Sequence, residues 1–371
     1  MKMIQTARPE DYKELLDFEN RIFNVRFLSK VPKLYTDETF CAACHGIIRE
    51  EDRIIGGVAV YPTALTTLGG TLKAVGVGSV AVDPAFRGKG YMKELMQYCD
   101  DAAKAHGAAM SFLSGYRQRY EPYGFVPCGT GYVFEVSDYC IAHTPKTPAY
   151  TFETLKKNPE GLPDAIAAFS RQPYRWQRDP DQFFQIVSSW EEKCFIIRDE
   201  RARVRGYLLA EKTRRDVSEL VLADGVSPQV VLAAFARSRK MQKLRVHVHE
   251  GQDALRKTLC AFGEHIEVNM PAAFKIHDFR QFIEVLGTHK AKTANVLEGS
   301  IVLKIGGETL RITMERDRCT AVPTADAPDL TLTAAEATVA LTTPLFCVHD
   351  PPLLRAWGPL CPLGISHCDE V

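Results

Sequence analysis

The sequence predicts a mixed α/β chain, of the α+β kind, built from three modules. Three observations carry this. A β-branched strand, a glycine-rich turn and an amphipathic helix follow one another between Val75 and Gly107. Strand and helix patterns resume beyond a Pro-containing stretch at 142–148, without a second glycine turn. The last hundred residues change again, to alternating strands joined by Gly306-Gly307. A chain of 371 residues also exceeds the size at which one core stops growing.

The elements follow in order. Arg8-Pro9-Glu10-Asp11 introduces a helix whose Leu15, Leu16 and Phe18 share one side. Strands are expected at Arg53–Val60 and Thr71–Val82, the second closed by the turn signal Asp83-Pro84. From Gly90 the period becomes helical, through Tyr91, Met92, Leu95, Met96 and Cys99, and stops near Gly107. Ala108–Leu113 reads as a buried strand and Tyr132–Val136 as another, with an aromatic and basic turn between them. Past the linker, strands are expected at Cys194–Arg198, Val204–Lys212 and Leu244–Val248, with helices at Pro228–Arg237 and Asp253–Phe262. A helix Asp278–Leu286, the hairpin Ser300–Ile305 and Glu308–Met314, a strand Leu330–Leu332 and a helix Ala334–Leu341 complete the series. The expected boundaries are 1–145, 146–272 and 273–371.

Composition narrows the partners. Lys plus Arg and Asp plus Glu are both 46, so net charge gives no reason to expect nucleic acid or an anionic membrane as the main partner. The N-terminus lacks the apolar run of a secretory signal, and no stretch reaches the ~18 apolar residues needed to span a bilayer. Eleven cysteines without a repeating frame fit reduced thiols, so a cytoplasmic protein is expected.

The chemistry centres on Ser79-Val80-Ala81-Val82-Asp83-Pro84-Ala85-Phe86-Arg87-Gly88-Lys89-Gly90-Tyr91-Met92. A strand-to-helix turn leaves backbone N–H groups unpaired at the helix N-terminus, where the dipole also favours an anion. Gly88 and Gly90 let the main chain approach a pyrophosphate, and Arg87 and Lys89 can add charge-assisted contacts. The competing reading is an ordinary glycine turn with solvated basic residues.

Arg87-Gly88-Lys89-Gly90 behind a Val-x-Val strand resembles the acetyl-coenzyme A signature of the GNAT superfamily of N-acetyltransferases. Met92 departs from the signature's final small residue, and a larger apolar residue there is common in the Eis (enhanced intracellular survival) family. The resemblance implies that acetyl-CoA is held by Val80, Ala81 and Val82, by Arg87 through Met92, and by Ser114. Its pantetheine arm would pair with the main chain of Val80 and Val82 like an added strand. Tyr120-Glu121-Pro122-Tyr123-Gly124-Phe125 resembles the superfamily's Tyr-x-x-x-Gly-Phe segment and implies Tyr120 as the general acid that protonates the departing thiolate. Tyr116 and Tyr123 compete for that role, and a packing tyrosine is the bland alternative.

Resemblance to the Eis family reaches further, through Pro173-Tyr174-Arg175-Trp176-Gln177-Arg178-Asp179-Pro180 and Phe274-Lys275-Ile276-His277-Asp278. It implies two tandem GNAT-like domains, the second without a cofactor loop, then a sterol-carrier-protein-like α+β domain. It also implies a homo-oligomer, a hexamer, and a chain end that enters the active site. The α-carboxylate of Val371 would then serve as base, while Asp369 and Glu370 attract a cationic amine; a frayed acidic tail is the alternative. The implied acceptor is a small cationic primary amine, aminoglycoside-like or polyamine-like. A protein or peptide lysine, or a non-catalytic acetyl-CoA sensor or scaffold, are the alternatives.

Three further signals are set aside. Cys41-Ala42-Ala43-Cys44-His45 matches a c-type haem attachment motif, but without an export signal or axial-ligand context packed thiols are expected, ahead of a zinc or redox role. His247 and His249 share one face of a strand with no third ligand in view, so no metal is expected. Lipid transport by a sterol-carrier-like domain would rest on fold analogy alone.

Overall fold

The long strand before the glycine turn organises the first sheet. In the computed structural model, which describes residues 4–156, 159–211, 216–344 and 351–371, this sheet contains β1 (Gln5–Thr6), β2 (His45–Glu50), β3 (Arg53–Thr67), β4 (Gly70–Val82), β5 (Met110–Leu113) and β6 (Val126–Cys128). Strands β1 to β5 lie in chain order, and a late strand, Ala272–Ile276, stands between β5 and β6. β3 runs seven residues past its expected end at Val60, its extension pairing with β4 from Tyr61↔Gly76 to Thr67↔Gly70.

β4 and β5 pair in parallel only from Ala74↔Met110 to Gly76↔Phe112, while β4 continues to Val82. The two strands therefore part beyond Gly76. The helix Tyr91–His106 follows, with Gly90 and Gly107 in left-handed conformation at its two ends. It buries Leu95, Met96, Cys99 and Ala103 against a core of Ile48, Ile55, Val58, Val75, Val77 and Val80. At about 25 cal/mol per Å² of apolar surface removed from water, that stripe holds the helix on the sheet.

Contacts divide the chain into two compact units: Met1–Gly129 with Met270–Leu363 and Glu370–Val371, and Thr130–Asn269 with Gly364–Asp369. These are not the divisions expected at 145 and 272. The strand Gly131–Val136, expected in the first region, pairs antiparallel with Leu244–His249 and His265–Asn269 in the second unit. Conversely, Ala272 falls within a strand of the first sheet. Linker composition marks an exposed stretch of chain, whereas sheet pairing decides to which core a strand belongs.

The second unit's sheet runs in the order 265–269, 131–136, 244–249, 217–222, 204–211, 192–199, 150–154. Its only parallel pair among the described residues joins 217–222 to 244–249. Val204–Glu211 ends one residue short of the expected strand, and Lys212 lies outside the described residues. Pro228–Ser238 and Asp253–Phe262 are helices, as their periodicity predicts.

A third sheet, in the first unit, has the order 319–323, 308–314, 299–305, 330–332. The helix Phe279–Thr293, capped by Asp278, packs on its strand 319–323 and on β4. No helix of the described residues is long and apolar enough to cross a membrane.

Candidate active site

At the end of β4 the chain turns through Asp83. Its carboxylate accepts from the Ala85 amide at 3.1 Å and from the guanidinium groups of Arg21, at 3.1 Å, and Arg53. Burial pushes this carboxyl up, but the Ala85 amide and the two cations together hold it below its ordinary value. The loop that follows is thus tied to β3 and to the helix Tyr12–Phe23.

Beyond it, Gly88 and Gly90 take φ of 78° and 87°. A side chain at either would meet nothing within 4 Å, so the backbone twist rather than crowding within the protein asks for glycine. Among the described residues, none of the N–H groups of Gly88 through Met92 donates a backbone hydrogen bond; pairing resumes at Lys93, which donates to the Gly90 carbonyl at 3.0 Å. These free donors border a cavity of about 650 Å³ lined by Val80, Ala81, Val82, Arg87, Gly88, Gly90, Tyr91 and Met92. Eight of the ten residues expected to hold a cofactor are there.

The other two lie elsewhere. Lys89 is set over the Phe86 ring, 4.9 Å from its centroid, and Ser114 donates to Glu370 Oε2. Ile22, Phe23, Phe86, Lys93, Arg119 and Tyr123 complete the wall. The first two belong to a helix some sixty residues earlier in sequence, and no local motif announces them. Arg119 and Lys93 add two cations to Arg87, which suits an anionic ligand.

Tyr120 ends the short helix Arg117–Tyr120 and is buried in the core of the first unit. Its ring covers Gly115, where a Cβ would fall 2.5 Å from Cε2. Burial pushes its phenol above the ordinary value, against the pull of Arg119, so the group stays protonated at neutral pH. Its neighbours Arg119 and Tyr123 face the cavity, whereas Tyr116 is largely exposed.

Val371 sits on β4 where the strand leaves β5. A Cβ on Gly76 would stand 2.6 Å from one of its methyls, and a Cβ on Gly78 would stand 2.7 Å from the other and 3.0 Å from its carboxyl carbon. Two glycines spaced i, i+2 thus clear one face of β4 for this residue. Asp369 is not with it. In the second unit, Asp369 forms two hydrogen bonds of 2.8 and 2.9 Å with Arg178, whose guanidinium also grips Glu219 at 2.8 and 2.6 Å. A carboxylate buried in that pair is committed to Arg178 rather than to a solvent-borne amine.

The set-aside motifs are structural in form. Cys41 and Cys44 are buried free thiols, and burial pushes Cys44 up to about 12. His249 Nε2 lies 2.9 Å from the Ser218 carbonyl, and His247 Nε2 lies 3.4 Å from Asp216 Oδ2.

The family model described as an acetyltransferase (GNAT) domain matches residues 3–128. Residues 3–128 are a GNAT acetyltransferase domain. Among solved structures, a GCN5-related N-acetyltransferase from Kribbella flavida superposes with a TM-score of 0.72 at 13% identity, over 100% of this chain and 98% of its own. One from Anabaena variabilis gives 0.70 at 16% identity, over 99% and 98% of the two chains. Eis1 from Mycobacterium abscessus gives 0.67 at 13%, over 98% of each. At such identities these are likenesses of fold, and they extend over the GNAT domain and everything after it. No curated protein matches the sequence. The chain thus carries a GNAT acetyltransferase domain at residues 3–128, and the cavity described above is bounded entirely by residues of that domain.

Proposed function

We propose that the protein transfers acetyl from acetyl-CoA to a primary amine of a small cationic acceptor, aminoglycoside-like or polyamine-like, by direct attack. One observation carries the reading: the unpaired amides of Gly88, Gly90, Tyr91 and Met92, two arginines and the end of β4 all border one cavity. The fit is chemical as well as spatial. Amides at a helix N-terminus and flanking guanidiniums suit a diphosphate, and the freed edge of β4 suits an amide-bearing arm.

Val80, Ala81, Val82, Arg87, Gly88, Gly90, Tyr91 and Met92 hold the acetyl donor in this reading, and Ser114 acts through Glu370. Glu370 draws the cation in, and the α-carboxylate of Val371 takes a proton from its ammonium, so that the neutral amine attacks. As the amine nitrogen bonds to the acetyl carbon and the carbon–sulfur bond breaks, the Tyr120 phenol gives its proton to the leaving thiolate and is reprotonated by the proton that the acylated nitrogen sheds. Tyr120 and Val371 are thus the catalytic residues proposed. Residues 146–272 would be the GNAT-like domain without a cofactor loop, 273–371 the sterol-carrier-like one, and the assembly a cytoplasmic hexamer.

The test is steady-state thiol release with a panel of aminoglycosides and polyamines against histone-like peptides, beside calorimetric titration of acetyl-CoA. Tyr120→Phe is expected to lower kcat by roughly 10²–10⁴-fold while acetyl-CoA affinity stays within about twofold. Adding one residue after Val371, which moves the carboxylate off Gly78, is expected to remove turnover and leave binding. Release only with peptides would transfer the reading to lysine acceptors; binding with no release across both panels would leave a sensor.

A further inference from the structure

Opposite Val58 of β3, two residues of β4 stand where one would fit: Gly78 pairs with Ala59 and Ala81 with Gly57, leaving Ser79 and Val80 as a bulge. Ser79 adopts a φ of 50°, a left-handed conformation that is unfavourable for any residue with a Cβ. Its neighbours on either side are Gly78, against Val371, and Val80, on the cavity wall.

Ser79 Oγ lies 2.6 Å from the hydroxyl of Tyr35, which in turn donates to Glu19 Oε2 at 2.7 Å. A phenol has one proton, and since it goes to Glu19, Ser79 must be the donor to Tyr35. His45 Nε2 is 3.4 Å from Glu19 Oε1, and its Nδ1 is 2.6 Å from the Cys41 carbonyl, to which it can only donate. Burial pulls the imidazole down, but Glu19 and Cys41 overcome it and raise its pKa to about 10, so His45 is protonated at neutral pH. Glu19, Tyr35 and His45 are completely buried. The Tyr35 ring is stacked on Phe27 at 5.1 Å, and its carbonyl accepts from Tyr12 at 2.7 Å. Three elements therefore converge to fix one hydroxyl beneath the bulge.

We propose that Tyr35, fixed by Glu19 and His45, is a positioning residue for acetyl transfer: through Ser79 it holds the left-handed bulge that turns the main chain of Val80–Val82 to the cavity and keeps Gly78 beside Val371. The inference rests on the reading that this cavity takes acetyl-CoA.

The experiment uses the full chain, with acetyl-CoA as probe, reading Kd by calorimetry and KM and kcat by thiol release. Tyr35→Phe and Ser79→Ala are expected to raise Kd and KM for acetyl-CoA about tenfold, since each leaves a left-handed residue without its anchor. Ser79→Gly is expected to restore both to within about twofold of the parent in the Tyr35→Phe background, because glycine adopts that φ without strain. A merely structural loss would not be repaired by removing a second side chain. Ser79→Ala and Ser79→Gly behaving alike would overturn the proposal, as would a folded Tyr35→Phe variant with unchanged Kd and KM. Should Tyr35→Phe fail to fold, the alanine and glycine contrast at half-buried Ser79 decides alone. If the parent protein itself did not bind acetyl-CoA, the cavity reading would fall first; a parent that binds, with variants that match it, would sink only the role of Tyr35.

Discussion

Val371 and the two glycines beneath it are the most sensitive point of the molecule at the residue scale. Gly78→Ala places a Cβ 2.7 Å from a Val371 methyl, closer than any contact can be, so the last residue must leave its seat. On the proposed mechanism kcat falls, while Kd for acetyl-CoA, read by calorimetry, changes little. Gly90→Ala is expected to do the reverse. Its Cβ meets open space, but a φ of 87° costs it about 1 kcal/mol or more, and the strain sits where the donor's phosphates would lie, so Kd rises. The glycine turn was legible in the sequence because its chemistry is local: main-chain amides and positive φ need no distant partner. Glu19, Tyr35 and His45 were not, because a polar residue in an amphipathic helix or at a strand start looks solvated until the fold buries it. The placement of Lys89 was equally hidden, since the ring that draws it, Phe86, sits in the same loop and competes with any phosphate.

Elements fail or hold through their ends. The turn after β4 depends on Asp83, whose carboxylate joins β3, through Arg53, to the helix Tyr12–Phe23, through Arg21. Because its folded pKa lies below the ordinary value, its contribution to stability is present above about pH 4 and is lost as pH falls through the folded value. Asp83→Asn is expected to lower Tm at pH 7 and to flatten the acid limb of a thermal-melt series. His45 has the opposite sign. With its folded pKa raised to about 10, its share is complete below about pH 6.5 and fades as pH climbs toward 10, so the parent should lose Tm across that alkaline window more steeply than His45→Gln. Helices and strands with a clear period emerged where expected: Asp253–Phe262 and Glu308–Met314 have the predicted ends. β3 did not: it runs on to Thr67 because its extension pairs with β4, and that pairing is not visible in the residues of β3 alone.

At the scale of the whole molecule, loss of the buried Arg178 is a costly change. Removing its cation with Arg178→Met strands Glu219 and Asp369 as uncompensated charges in the second unit, an expected loss of about 3–5 kcal/mol seen as a much lower Tm. Burial raises the Glu219 carboxyl, yet Arg178, with help from the Tyr207 hydroxyl, holds it below its ordinary value. Which strands share a sheet was the least legible feature at this scale, because pairing between residues 110 and 276 leaves no trace in local periodicity.

The strand Ala272–Ile276 between β5 and β6 has a consequence for biogenesis. A ribosome releases β5 and β6 some 150 residues before the strand that joins them, so both wait with open edges while the intervening segment is made and folded. The first sheet is therefore closed late in synthesis, through a contact of high sequence separation that folds slowly. A fragment stopping near residue 145 would keep the cavity-lining residues and still lack the strand that seals their sheet; it is expected to need chaperones or to aggregate, whereas the intact chain is not.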